Sequence, residues 1–186
     1  MKKLTLIIVG LIVALTLQAQ SKEHMKFMGI PLNGTINQFQ QKLQKKGIRY
    51  DAKGSKNIQA GCKAFKGTFS GEEADFYVYF DVKTKKVYRA KAVIECINKE
   101  RGKSKLLEYK EKLSSKYPNS VSHEGQQDGY PTFSLYLPNS EREYLGCINL
   151  YITDMGYSFI DEVYLHIDYY DGPNEKEREM QNFDDL

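Results

Sequence analysis

FYVYFD, residues 76–81, alternates apolar and tyrosine side chains, and NLYITD, residues 149–154, follows 73 positions later in a similar pattern. Alternation of this kind is the period of a half-buried β-strand. It sends Phe76, Val78 and Phe80 to one face and Tyr77 and Tyr79 to the other. Around the first copy the chain reads as strands Cys62–Phe69, Ala74–Val82 and Lys86–Cys96, broken at Ser70-Gly71-Glu72-Glu73 and Lys83-Thr84-Lys85. Within the last of these, Tyr88, Ala90, Ala92 and Ile94 share one face, and Val87, Arg89, Lys91 and Val93 the other. A weak strand, Ile48–Asp51, and a polar loop over 52–60 come before them. Around the second copy the strands are Ser120–Glu124, Pro131–Leu137, Glu143–Asp154 and Phe159–Tyr170.

A helix precedes each meander. Thr35 and Gln38 form a capping box, Ile36, Phe39 and Leu43 make one face, and Gly47 ends the first helix. Residues 97–105, INKERGKSK, read as a charged break. The second helix then runs from about Ser104 to Tyr117, with Leu106, Tyr109, Leu113 and Tyr117 as its stripe and Pro118-Asn119 as its stop. Gln41–Lys46 matches Glu111–Lys116 at an offset of 70, and Val87-Tyr88 matches Val163-Tyr164 at 76. The order of matches predicts an α+β chain of two tandem α-β4 repeats, each an antiparallel meander with a short helix packed on one face. The first repeat spans 20–97 and the second 98–171, and GPNEKEREMQNFDDL, 172–186, reads as a polar, frayed tail.

The first nineteen residues have a different character. Met1-Lys2-Lys3 is a positive start, Leu4 to Leu17 a mostly apolar run, and Ala19 a small residue at a cleavage position. This is the pattern of a secretory signal peptide, and a helix of fourteen residues reaches about 21 Å, short of a bilayer core of roughly 30 Å. The expected location is periplasmic or secreted. Residues 20–118 hold 22 Lys/Arg and 10 Asp/Glu, while residues 119–186 hold 3 and 14. That polarity of +12 against −11 suits attraction between halves of one molecule, or self-association between copies. Nucleic acid is not an expected partner of an exported chain. The runs Lys83–Lys86 and Lys99–Lys105 suit an anionic envelope surface. Cys62, Cys96 and Cys147 are odd in number, so at least one thiol is left over, and their spacing holds no zinc pair. No cofactor or metal is expected: Asp161, Glu162, Asp168 and Asp171 lack the spacing of a calcium loop.

The layout of a signal peptide followed by two helix-plus-meander units resembles the beta-lactamase-inhibitor-protein-like fold. Phe27-Met28-Gly29-Ile30-Pro31-Leu32-Asn33-Gly34-Thr35, with Phe39, Leu43 and Gly67-Thr68-Phe69-Ser70-Gly71, resembles a family of small secreted proteins of anaerobic Gram-negative bacteria, uncharacterised in activity. The resemblance implies a secreted α+β protein whose uncovered sheet face binds protein. It brings no catalytic residues.

If the apolar strand faces meet the helices, the other faces become the candidate site. On the first repeat these carry Tyr77, Tyr79, Arg89 and Lys91. On the second they carry Tyr136, Tyr151, Tyr164, His166, Asp168 and Tyr170. Tyr and Arg are enriched where proteins bind proteins. His166 and Asp168, two apart on one strand, also have the look of a hydrolase dyad, although no nucleophile is tied to them by spacing. The expected function is non-enzymatic binding of an envelope protein or peptide; a hydrolase using His166 and Asp168, or a self-assembling envelope protein, is the alternative.

Overall fold

The computed structural model describes residues 23–154 and 162–183. The expected signal peptide and Asp161 lie outside them. Among the described residues there are four helices and two antiparallel sheets, so the chain is α+β. A two-stranded hairpin pairs β1 (Lys26–Phe27) with β2 (Ile30–Pro31). Helix α1 (Ile36–Lys45), strand β3 (Arg49–Tyr50) and the single turn α2 (Ala52–Lys56) follow. Strands β4 (Cys62–Phe69), β5 (Glu72–Phe80) and β6 (Val87–Cys96) complete the first half. The second half is α3 (Lys99–Lys116), β7 (Val121–Gln127), β8 (Tyr130–Pro138), β9 (Tyr144–Asp154) and β10 (Val163–Asp171), closed by α4 (Gly172–Phe183).

The eight strands β3 to β10 form one sheet in the order β3-β4-β5-β6-β10-β9-β8-β7. The two meanders are therefore not separate layers. Their fourth strands pair with each other, Arg89 opposite Tyr170 and Val93 opposite His166. One apolar row runs across the inner face: Phe65, Phe76, Ala92, Ile167, Leu150 and Phe133. Helices α1 and α3 cover that face with Ile36, Phe39, Leu43, Leu106, Tyr109 and Leu113. The hairpin joins the same core. Phe27 is fully buried and packs against Phe69, Phe76 and Tyr169, with ring centroids 5.2–6.1 Å away.

Four local readings change, the simplest at 52–60, where Ala52–Lys56 is the helical turn α2 rather than loop, capped by Asp51 accepting from the Gly54 N–H. Tyr88 does not share a face with Ala90 and Ala92: the pairing steps from Tyr79–Arg89 to Phe80–Val87, so Tyr88 is a bulge and Val87 turns into the core. Residues 99–103 are helix rather than a break. Asn98 caps α3 by accepting from the Arg101 N–H at 2.8 Å. Gly102 is there because the helix lies against the sheet, and a Cβ on it would stand 3.0 Å from Val163 Cγ1. Finally, 172–183 is not a frayed tail. Asn174 is buried, its side-chain amide donating to the Leu32 carbonyl and, at 2.9 Å, to the Val87 carbonyl. Asp171, also buried, accepts from the Met25 N–H at 2.7 Å and the Asn174 N–H at 3.1 Å, with His24 Nδ1 at 2.9 Å.

The charge polarity is used inside the molecule. Lys86–Glu177, Arg89–Asp168, Lys99–Asp154 and Lys110–Glu124 each join the basic stretch to the acidic one. Lys105, within one of the lysine runs, is buried in an ion pair with Glu72. No helix among the described residues is long and apolar enough to cross a membrane. Replacing Asn174 by Ala strands two buried carbonyls and should lower stability by about 2 kcal/mol in urea unfolding, with the midpoint moving and the slope unchanged.

Candidate binding face

The face of the sheet away from α1 and α3 is defined by register. One row reads Cys62, Tyr79, Arg89, Tyr170, Cys147, Tyr136, Val121 from β4 to β7. The next reads Ala64, Tyr77, Lys91, Asp168, Asn149, Ser134, His123. Above them lie Val93, His166 and Tyr151, then Glu95, Tyr164 and Thr153. All ten residues expected on this face are on it. Two short elements border it. Helix α2 folds over the outer end of β4, where Ser55 Oγ accepts from the Ala64 N–H at 2.9 Å. Helix α4 lies at the start of β6, with the Arg178 guanidinium 4.6 Å from the centre of the Tyr88 ring.

The centre of the face is a closed set of contacts. Asp168, 1% exposed, receives Arg89 Nε at 2.9 Å and Arg89 Nη2 at 2.5 Å. The hydroxyls of Tyr170 and Tyr151 donate to the same carboxylate at 3.3 and 3.5 Å. The guanidinium sits between two rings, 4.4 Å from Tyr79 and 4.6 Å from Tyr170. Arg89 fits here because its planar head makes two parallel bonds to the carboxylate while stacking on aromatic faces. Burial, with Asp168 next in weight for Tyr151, pushes the hydroxyls of Tyr79 and Tyr151 up to about 12. Both therefore stay protonated over the physiological range.

His166 and Asp168 do not form a dyad. The imidazole stacks on Tyr151 at 4.5 Å, its Nε2 lies 2.7 Å from Thr153 Oγ1, and its Nδ1 is buried with no hydrogen-bond partner among the described residues. Burial first, then the charges of Lys91 and Arg89, bring its pKa down to about 3. The neighbouring carboxylate is occupied by Arg89. Register separates the two: two positions along a strand put them in adjacent rows, each with different cross-strand neighbours. Asp171, also weighed for calcium, accepts two backbone N–H groups and holds His24. Among the described residues no three His, Cys, Asp or Glu side chains are placed to hold a metal. The three thiols are buried and unpaired. Cys62 and Cys147 share a row but stand four strands apart, roughly 19 Å at about 4.8 Å per strand. Burial pushes Cys62 up to about 11, so it stays a thiol.

The tyrosines differ in what they offer. Tyr136 is 44% exposed and Val121, beside it, 70%. With Tyr144 they line an open cleft of about 750 Å³ at the β7 end, floored by Leu137 and Pro138. Tyr164 lies at the start of the central strand β10 and donates to Glu162 at 3.0 Å. Tyr144 belongs to the face but is missed by alternation. The pairing of β8 with β9 steps from Leu137–Gly146 to Pro138–Tyr144, and this irregularity turns Tyr144 outward.

Two measurements test this electrostatic picture. Arg89→Met leaves Asp168 buried and unpaired, and should cost about 3 kcal/mol or more in chemical unfolding. His166 takes its proton near pH 6.5 when unfolded and near 3 when folded. Acid between those values therefore favours the unfolded chain, by at most about 1.4 kcal/mol per pH unit. His166→Gln should remove that part of the slope of stability against pH from about 6 to 4; an unchanged slope would show the imidazole to be accessible and protonated in the fold.

Comparisons with models of known protein families, with curated proteins and with solved structures return no match to this chain.

Proposed function

We propose that this protein is an exported, non-enzymatic binding module that presents the Tyr-rich outer face of its sheet to a protein or peptide of the cell envelope. The observation that carries this is the Tyr79–Arg89–Tyr170 sandwich, fixed on Asp168 at the centre of the face. Side chains already held by neighbours lose little freedom when a partner arrives, so more of the contact energy appears as affinity. The aromatic row continues from this rigid centre to the exposed Tyr136 and Val121, giving a partner both an apolar seat and polar hydroxyls. Export rests on the pattern of Met1 to Ala19.

The occupied state of His166 and Asp168 favours binding over hydrolysis. A general base must reach a proton on a nucleophile or water. Here one ring nitrogen is bonded to Thr153, and the carboxylate is saturated by Arg89 and two tyrosines.

We also infer that the two halves arose by duplication. Phe76–Asp81 and Asn149–Asp154 each fall on or at the end of the third strand of their half, and Val87 and Val163 each begin the fourth. Gln41–Lys46 and Glu111–Lys116 each close their helix. This layout supports the likeness to the beta-lactamase-inhibitor-protein-like fold, and with it a bare sheet face as the contact surface.

Tyr77→Ala, Tyr136→Ala and Tyr164→Ala together should abolish crosslinked capture of an envelope partner while leaving the thermal midpoint within a few degrees. Capture that survives all three replacements would place the contact elsewhere.

A further inference from the structure

Lys91 stands in the middle of the outer face and makes no ion pair among the described residues. Its neighbours in the row are Tyr77 on β5 and Asp168 on β10. Its ammonium lies 5.4 Å from the centre of the Tyr77 ring. The adjacent carboxylate is not free to answer it, because Asp168 already receives two bonds from Arg89 and one each from Tyr151 and Tyr170. The lysines that stand out in the sequence as runs are committed elsewhere: Lys86 to Glu177, Lys99 to Asp154, Lys105 to Glu72. Lys91 is thus a half-buried cation beside the Tyr77 ring, with its local anion already in use. Burial lowers its pKa, and Asp168 offsets this only in part.

A partly dehydrated ammonium without a counter-ion is an incomplete pair. The group that completes it carries a single negative charge and can accept from both an ammonium and nearby hydroxyls. A carboxylate meets both needs. Resting on the reading of this face as a protein-binding surface, we propose that Lys91 anchors a carboxylate subsite, on which an acidic side chain of the partner docks against the Tyr77 ring. The Arg89–Asp168 pair beside it is self-neutralised and sets orientation rather than charge. Lys91 therefore selects for an Asp or Glu at the centre of the partner's contact patch, and the tyrosines supply the surrounding apolar contact.

The test is an NMR titration of the whole protein at constant ionic strength with N-acetylglutamate N-methylamide, and with its glutamine counterpart. The glutamate probe should give saturable shifts centred on Lys91, Tyr77 and Asp168, and the glutamine probe should not. Lys91→Met should weaken the glutamate probe about tenfold, the effect of losing one charge-assisted bond. Lys91→Arg should retain binding, and Lys66→Met should leave it unchanged. Shifts spread over the exposed lysines without saturation would overturn the subsite, and the wild-type titration gives this answer even if a variant fails to fold. Partner capture separates the two levels. If the binding face itself is misread, the tyrosine variants keep the partner. If only the subsite is misread, they lose it while Lys91→Met keeps it.

Discussion

A carboxylate sits almost fully buried at the one seam that makes two meanders into a single sheet. Asp168 lies on β10, and the strand beside it, β6, comes from the other half of the chain. Taken out of water alone, this charge would oppose the pairing of β6 with β10 by several kcal/mol. Arg89 reverses that balance from across the seam with two short bonds, and Tyr79 and Tyr170 shield the result. A one-residue slip of this strand pair would send Arg89 and Asp168 to opposite faces of the sheet. The ion pair thus specifies alignment as much as it stabilises it. The central tyrosines and Lys91 are held in position through this seam.

The same arrangement explains why a surface rich in titratable groups has so little free chemistry. Each group that looks reactive alone is already engaged. His166 is stacked and neutral, Asp168 is saturated, and Cys62 is held as a thiol. What remains is shape and hydrogen-bonding capacity on a rigid background, which is what the proposed binding role would draw on. Lys91 is the exception among the charged groups at the centre, because its neighbouring carboxylate is already bonded to Arg89.

Much of this was legible in residue order. Period-two alternation placed the strands within a few residues, and it assigned the ten candidate side chains to one face. The capping box at Thr35 and the stripe of Ile36, Phe39 and Leu43 described α1. What escaped has physical reasons. Helix α4 has no apolar stripe to find; it is held by an amide side chain, Asn174, bonded to carbonyls from β6 and from the hairpin. Gly102 reads as a helix breaker until the sheet beneath it is known. The bulge at Tyr88 and the step beside Tyr144 invert alternation locally, and a parity rule cannot see an inserted residue. Above all, spacing along a strand made His166 and Asp168 look like partners, whereas the partner of Asp168 lies on a strand 79 residues earlier.

The knot around Asp171 and Asn174 has a bearing on how the chain is made. It joins Met25 and Leu32, near the start, to residues at the end of β10 and the first turn of α4. The Phe27 side chain can find its full set of neighbours only when Tyr169 is present. During synthesis, then, the hairpin has no completed site to enter until β10 and the first turn of α4 have been made. This corner of the core therefore closes on residues drawn from both halves of the chain rather than within either one.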